Sequence, residues 1–272
     1  MIAALIDNGS LEPAAHRNLR AVATAVARRT GVPVQAVSWK HSDRIPAASL
    51  SHEPAAVLDS WLRAQLARGE RDFVFLPFFV SPQGAIGSRL QRDLERLQRE
   101  HPFRFQLAAS LADQGVLAPV IADRIRTTVR ATHLERPPVI VVDHGGPSRA
   151  SAALRNALAG QIQDLLGAEI GPLAAASMEG AEHPHNRPLF ADVLAAPEFD
   201  HGDVVIAPLF LAPGRHAGPR GDLVEIATAA EDRLTAAPLR CHFTELIGSH
   251  SLITEALADA LQQSLFHASA AA

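Results

Sequence analysis

Short apolar runs recur along the chain and alternate with longer segments in which apolar residues return every three or four positions. The short runs have the length of buried strands, and the longer segments have the period of amphipathic helices. Short apolar strands that alternate with helices form parallel sheets that are covered on both faces. The pattern therefore predicts an α/β fold of the doubly wound, Rossmann-like kind.

The pattern occurs twice. Residues 2–10 and 139–146 are both apolar strand runs that end in Asp, one polar residue and Gly, and residues 73–82 and 204–213 are both apolar runs interrupted by proline. A repeat of this length predicts two tandem domains, each with a four-stranded parallel sheet, at 1–132 and 137–268. The remaining predicted helices lie at 13–30, 88–100, 116–130, 148–166, 222–236 and 251–266, and the remaining strands at 34–39, 104–109, 173–178 and 240–246.

The two copies differ at the ends of their strands, where ligands bind in sheets of this kind. The second copy has His144, Glu179 and His216 after its first three strands. The first copy has Asn8, Lys40 and Ala85 at the matching positions. Imidazole and carboxylate suit divalent transition metals, whereas lysine adds positive charge and alanine offers no donor. The comparison predicts one metal-handling site, in the second copy.

A single histidine after a strand is more often a capping or hydrogen-bonding residue than a metal ligand. His216 also lies in a turn whose proline and glycine have structural reasons to be there. The metal interpretation depends on three strand-end positions that change character together.

Composition narrows the alternatives. The chain has 272 residues, 47% of them hydrophobic, and a formal net charge of −4 without a polybasic arm, so nucleic acid is a poor expectation. The single cysteine, Cys241, excludes an internal disulfide and a cysteine-based cluster within one chain. No basic leader precedes the first apolar run and no apolar stretch has the length of a membrane span, so we expect a cytoplasmic protein.

Two motifs resemble a known family. Residues 143–149 read DHGGPSR, and residues 208–216 read PLFLAPGRH. Both are similar to motifs of the class II tetrapyrrole chelatases, especially the sirohydrochlorin cobaltochelatases of cobalamin biosynthesis in their two-domain long form. The resemblance covers nearly the whole chain. It departs from the family at Gly146, where the usual motif reads His-Gly-Ser, and at Asp222, which follows the second histidine later than expected.

The resemblance implies a lyase that inserts a divalent metal ion, Co²⁺ or Fe²⁺, into sirohydrochlorin or a related tetrapyrrole of cobalamin or siroheme biosynthesis. His144 and His216 would hold the ion or accept pyrrole protons, and Glu179 would assist as ligand or base. Ni²⁺ also suits these ligands. The metal ion is a substrate of the reaction, so no permanently bound cofactor is expected.

Substrate contacts are predicted from the same loops. Arginine binds carboxylates in a bidentate manner, and glycine lets a loop approach a flat ring closely. The predicted substrate-binding residues are Arg149, Arg215, Arg220, Gly145, Gly146 and Gly214. The arginines are equally well explained as solvated surface residues. A second candidate metal site is His183 with His185, which as a pair is more often part of an exposed polar loop.

Two other functions stay open. The first is a chelatase-like protein that binds tetrapyrrole or metal without turnover, which the loss of the first site favours. The second is another metal-dependent lyase or hydrolase, against which the sequence shows no nucleophile elbow, Gly-rich phosphate loop or His-Glu-x-x-His motif. A monomer suffices to build the site, and a dimer is compatible with it.

Overall fold

The computed structural model describes residues 1–80, 87–233 and 237–270. Its contacts divide the chain into two compact units. The first unit consists of Met1–Val116 together with Gly248–Ala272, and the second unit of Leu117–Ile247.

The first unit is built on a parallel sheet with the strand order β3-β2-β1-β4-β5. Its core contains a cluster of aromatic rings around Trp61 and Phe73, whose centroids lie 5.9 Å apart. In chain order its elements are β1 (Ile2–Asp7), α1 (Pro13–Thr30), β2 (Val34–Ser38), β3 (Ala56–Val57), α2 (Leu58–Ala67), β4 (Asp72–Pro77), α3 (Gly87–Glu100) and β5 (Arg104–Leu107).

The second unit is built on a four-stranded parallel sheet with the strand order β7-β6-β8-β9. Four residues of β6, from Val139 to Val142, are fully buried, as expected for a central strand covered on both faces. The elements are α4 (Leu117–Thr132), β6 (Val139–Asp143), α5 (Arg149–Leu166), β7 (Leu173–Ser177), α6 (Phe190–Val193), β8 (Gly202–Pro208), α7 (Asp222–Glu231) and β9 (Leu239–Phe243), after which α8 (Ser251–Ala270) belongs to the first unit.

The helix that closes each half of the sequence belongs to the other unit. Helix α4 packs against α5 and β8, and helix α8 packs against α1 and β4. The compact units therefore exchange their closing helices relative to the contiguous segments 1–132 and 137–268, which stay the prediction for the domain bounds. The expectation assumed that each closing helix covers its own sheet, and a periodic apolar face does not specify which sheet it covers.

The α/β class and the two parallel sheets are confirmed, but the first sheet has five strands rather than four. The extra strand, β3, pairs with the end of β2, and the second unit has only an isolated bridge between Ser177 and Leu189 at the corresponding place. A two-residue strand is too short to form a recognisable apolar run. Helix α2 was not predicted either, although Leu58, Trp61 and Leu62 form a buried face at helical spacing.

The strand ends require glycine in both units. Gly9 follows β1 with φ +85°, and Gly145 follows β6 with the same φ. A Cβ at Gly145 would lie 2.1 Å from the carbonyl oxygen of Glu179, and one at Gly9 would lie 1.7 Å from that of Lys40. Glycine therefore allows the two neighbouring loops to cross in direct backbone contact.

We expect Gly145→Ala to lower the free energy of unfolding by about 3 kcal/mol, because positive-φ strain adds to the overlap with a backbone oxygen. Urea unfolding followed by circular dichroism measures the change. Gly160→Ala is the matched control, since Gly160 lies within α5 with open space around it and alanine there should stabilise the helix by about 0.5–1 kcal/mol. A Gly145→Ala protein as stable as the wild type would contradict the predicted crossing.

Among the described residues, no helix has both the length and the apolar character needed to cross a membrane.

Candidate metal centre

Parallel pairing brings the three predicted site positions of the second unit together. Asp143, the last residue of β6, is in register with Ser177, the last residue of β7. Beyond these residues the backbone N–H of Glu179 donates to the carbonyl of His144 at 3.2 Å. The first unit has the same arrangement, with the N–H of Lys40 donating to the carbonyl of Asn8 at 3.2 Å. The backbone thus supports the equivalence of these positions that was inferred from the sequence.

The two histidines face each other. The Nε2 atoms of His144 and His216 are 3.2 Å apart, and the ring planes meet at 85°. Two nitrogens that bind one ion at about 2.1 Å each and lie 3.2 Å apart would subtend an angle of about 100° at it. That angle lies between the octahedral and tetrahedral values, so the spacing suits a shared divalent ion.

The other nitrogen of each ring has an acceptor as its partner. Nδ1 of His144 is 2.9 Å from the carbonyl oxygen of Gly145, and Nδ1 of His216 is 2.6 Å from Oδ2 of Asp222. A carbonyl and a carboxylate only accept, so both rings carry their proton on Nδ1 when they are neutral. Both Nε2 atoms then carry lone pairs 3.2 Å apart, a spacing that a metal ion bound by both rings or a proton shared between them makes favourable.

Glu179 adds negative charge beside this pair. Its Oε1 lies 3.5 Å from Nε2 of His144, and its side chain is 56% exposed. Within the described ranges, no group of three or more His, Cys, Asp or Glu side chains already has the arrangement of a metal site. The centre is therefore an open pair of imidazoles with an exposed carboxylate at one side, which would leave coordination positions for an incoming ligand if an ion were bound.

Asp222 orients His216. It is the first residue of α7, where the helix N-terminus favours a carboxylate. The loop before it folds back so that the N–H of Leu223 donates to the carbonyl of His216 at 3.1 Å. A Cβ at Gly221 would lie 2.7 Å from that same carbonyl oxygen, so the turn requires glycine. Such a partner fixes the tautomer and the ring orientation of a histidine.

A match to one protein family shows where this chain belongs. The model of the CbiX family matches residues 3–128 and again residues 138–264. The chain belongs to the CbiX family. The double match confirms the resemblance inferred from the two motifs, over the first half of the chain as well as the second.

Solved chelatase structures share the fold. SirB from Bacillus subtilis with Fe³⁺ superposes with a TM-score of 0.67 at 12% identity, covering 97% of this chain and 96% of that one. The sirohydrochlorin chelatase SirB from Bacillus subtilis subspecies spizizenii in complex with cobalt gives 0.65 at 11% identity, covering 97% and 95%. CbiX, described as the terminal enzyme for siroheme biosynthesis in denitrifying bacteria, gives 0.61 at 17% identity, covering 97% and 98%. Comparison with curated protein sequences gave no significant match.

The predicted substrate-binding arginines are at the surface. Arg149 begins α5, Arg220 is exposed, and Arg215 is 84% exposed with its Nε 3.9 Å from Oδ2 of Asp222. Of these three arginines, Arg215 is therefore connected to the histidine pair, because Asp222 contacts both Arg215 and His216. In the same loop, the N–H of Gly214 donates to the carbonyl of Ala217 at 2.9 Å.

The second candidate metal site, His183 with His185, has a different arrangement. The two rings are stacked at an interplanar angle of 12°, with centroids 5.4 Å apart, so their nitrogens do not converge on one point. Nε2 of His185 lies 2.9 Å from the carbonyl oxygen of Gly146, and the side-chain amide of Asn186 donates to the same oxygen at 3.1 Å. These contacts brace the loop that carries His144.

Sequence reasoning missed a buried arginine beneath the site. Arg155 of α5 is 1% exposed, and its guanidinium donates to Ser177 and lies 3.4 Å from Oδ1 of Asp143. The sequence did contain a signal, because Arg155 occupies the apolar stripe of α5 with Ala152, Ala159 and Ile162, where a charged side chain is unusual.

The first unit has a different chemistry at the same edge. Asn8 and Lys40 are exposed, and the Lys40 ammonium lies 4.1 Å from the centroid of the Trp39 ring. The third matching position, Ala85, lies outside the described residues. An ammonium offers no lone pair to a cation, and an amide oxygen suits hard ions such as Ca²⁺ better than the transition metals that imidazole binds.

The aspartate beneath this edge lacks the buried arginine of its counterpart. Burial raises the pKa of Asp7 to about 6, although hydrogen bonds from Ser38 and the N–H of Gly9 oppose the shift. Nδ1 of His16 lies 3.3 Å from the Ser38 hydroxyl, and burial, with the positive charge of Arg20, lowers the pKa of His16 to about 4.

We expect Asp7→Asn to stabilise the protein above pH 6. A raised folded-state pKa means that the folded chain binds more protons than the unfolded chain between pH 3.8 and about 6, so Asp7 costs stability as pH rises through that window. The gain from asparagine should be near zero around pH 4 and reach about 1–3 kcal/mol above pH 6. The lowered pKa of His16 affects the stability of the wild type and of Asp7→Asn alike, so it cancels in the difference. Urea unfolding at several pH values gives the difference.

The matched control is Asp143→Asn, which replaces the equivalent aspartate where Arg155 is its partner. It should destabilise the protein across the same pH range, because it leaves a buried guanidinium with a weakened partner. Equal effects of the two substitutions would contradict the interpretation of Asp7.

Proposed function

We propose that this chain is a chelatase that inserts a divalent metal ion, Co²⁺ or Fe²⁺, into sirohydrochlorin or a closely related tetrapyrrole. The observation that carries the proposal is the facing pair of Nε2 atoms in His144 and His216. Membership of the CbiX family and the fold shared with sirohydrochlorin chelatases support it.

The ion is held weakly enough to be given up. Two imidazoles and the carboxylate of Glu179 supply an incomplete ligand set, whereas a closed cage of four ligands would retain the metal. His144 and Glu179 are 45% and 56% exposed, so the pyrrole nitrogens of a macrocycle can reach the open coordination positions.

Insertion of a dication into a free-base tetrapyrrole releases two protons from pyrrole N–H groups, and the site has groups to accept them. His216 is suited to this role because its Nδ1 contacts the Asp222 carboxylate, which stabilises the imidazolium that forms. Glu179 is the second acceptor within reach of the pair. Ligand and base roles are therefore shared by the same side chains at successive moments.

The carboxylates of the substrate need cationic partners. Arg215 and Arg220 lie in the loop that carries His216, and Arg149 follows the loop that carries His144. Their exposure is appropriate for groups that bind a ligand arriving from solvent. Arginine pairs with carboxylate through two parallel hydrogen bonds.

The test is anaerobic mixing of the purified protein with sirohydrochlorin and Co²⁺, and separately Fe²⁺, while the visible absorption of the macrocycle is followed. A rate well above the uncatalysed reaction, with many turnovers per chain, would support the proposal. A spectral change that saturates at one tetrapyrrole per chain without turnover would overturn it in favour of a binding protein. The altered strand ends of the first unit, Asn8 and Lys40, are the observation that keeps this second candidate in the comparison.

A further inference from the structure

We propose that Arg155 is a positioning residue that sets the geometry of the metal-handling pair from beneath, an inference that rests on the proposed function. Arg155 touches none of the groups assigned to the ion. It acts through the three segments that carry or brace His144 and Glu179.

The guanidinium of Arg155 has a partner in each segment. It lies 3.4 Å from Oδ1 of Asp143, which directly precedes His144, and it donates to the hydroxyl of Ser177, two residues before Glu179. Nη2 donates to the carbonyl of His185 at 3.2 Å. One rigid, five-donor group thus fixes the ends of β6 and β7 and the loop that follows.

These partners are also connected to one another. The Ser177 hydroxyl donates to Oδ1 of Asp143 at 2.6 Å, and Nε2 of His185 holds the carbonyl of Gly146 at 2.9 Å. The side chain of His185 therefore holds one side of the glycine loop while its backbone carbonyl is held by Arg155. A shift of the guanidinium would move His144 relative to Glu179, whose Oε1 is now 3.5 Å from Nε2 of His144.

The first unit shows the same frame without the arginine. Helices α1 and α5 are both 18 residues long, and Leu19 of α1 matches Arg155 of α5. Asp7 and Ser38 are retained at the strand ends, and the unit folds with a buried Leu19. In this unit the strand-end serine has a different helix partner, His16, whose Nδ1 lies 3.3 Å from the Ser38 hydroxyl, so the frame folds without an arginine. The arginine is present in the unit that has the two histidines and absent from the unit that lacks them.

Arg155→Leu introduces the residue that the first unit has at the matching helix position, Leu19. The double variant Asp143→Asn/Arg155→Leu removes both charges, so that no carboxylate loses its cationic partner. Co²⁺ binding is measured without tetrapyrrole, from the visible d–d absorption and by calorimetry. Imidazole ¹⁵N shifts of His144 and His216 in metal-free protein report the tautomers separately. Arg240→Leu is the matched control, because it breaks an Asp–Arg pair with Asp203 at the opposite edge of the same sheet.

Both Arg155 variants are expected to bind Co²⁺ about 10–100-fold more weakly, as is typical when an outer partner of a metal site is lost. The d–d spectrum should change, and the ¹⁵N shifts of His144 should report mixed tautomers. Arg240→Leu should match the wild type in all three readouts. Arg155→Lys should recover stability but not affinity, since an ammonium lacks the planar fork that reaches three acceptors.

Wild-type affinity and shifts in Arg155→Leu would overturn the positioning role. So would a double variant that regains them, since Arg155 would then only neutralise Asp143. If the wild type itself binds no Co²⁺, the proposed function is wrong, and the tautomers of His144 with and without Arg155 still decide the positioning role.

Discussion

Replacing His144 or His216 by alanine is expected to lower the rate of metal insertion by at least about 100-fold at saturating substrate, because each ring would serve as ligand and as proton acceptor in the proposed reaction. The two Nε2 atoms lie 3.2 Å apart, so we expect them to act on one ion. The double variant should therefore lose little more than the worse single variant, since side chains that act as a unit are not additive. Anaerobic initial rates with sirohydrochlorin measure all three proteins.

His201→Ala is the control for these variants. His201 is exposed, pairs with Asp200 at 2.7 Å and precedes β8 at the opposite edge of the sheet from the site. It should insert metal at the wild-type rate. Losses that multiply in the double variant, or a single variant with unchanged turnover, would show that the pair does not share one ion.

Glu179→Lys is expected to abolish metal binding at micromolar concentrations. It gives the second unit the charge that Lys40 has at the matching position of the first unit. A change of two charges at about 5 Å from a dication costs about 3 kcal/mol even at the dielectric constant of water, or roughly 100-fold in affinity. Glu179→Gln removes one charge instead of changing two, so its metal affinity should fall by about the square root of that factor, or roughly 10-fold. Co²⁺ calorimetry gives both values.

Glu198→Lys makes the same change of charge as a control. Glu198 is exposed and precedes β8, so the length of a strand, more than a Debye length in ordinary buffer, separates it from the histidines. We expect an affinity within about twofold of the wild type, because screening removes interactions at that range. If Glu198→Lys weakened binding as much as Glu179→Lys, the effect would reflect net charge rather than a local carboxylate.

The repeat made the site visible in the sequence. Strand ends are recognisable because an apolar run stops there, and two copies of one unit allow each end to be compared with its counterpart. His144 and His216 are 72 residues apart in the chain, yet parallel pairing guarantees that such strand ends meet at one edge. The proximity of the two histidines was therefore predictable from local pattern and a general rule of topology, and their role as metal ligands stays a prediction.

The contacts that give the site its chemistry were not predictable in this way. The sequence does not show that both Nδ1 atoms have acceptors, that Asp222 is the partner of His216, or that His185 contacts the carbonyl of Gly146. Each of these depends on the direction of a side chain, which local spacing leaves open. Arg155 was missed for the same reason, since a charge in an apolar stripe can equally point outward.

The sequence by itself determined the α/β class, the internal repeat and the difference between the two strand edges, because these follow from short-range periodicity and residue type. The tertiary structure decided which helix covers which sheet, how the two imidazoles face each other and what holds them there. Those features depend on contacts between distant segments whose apolar faces and polar groups have more than one compatible partner. Packing selects one of these arrangements, and that selection turns two separate histidines into one centre.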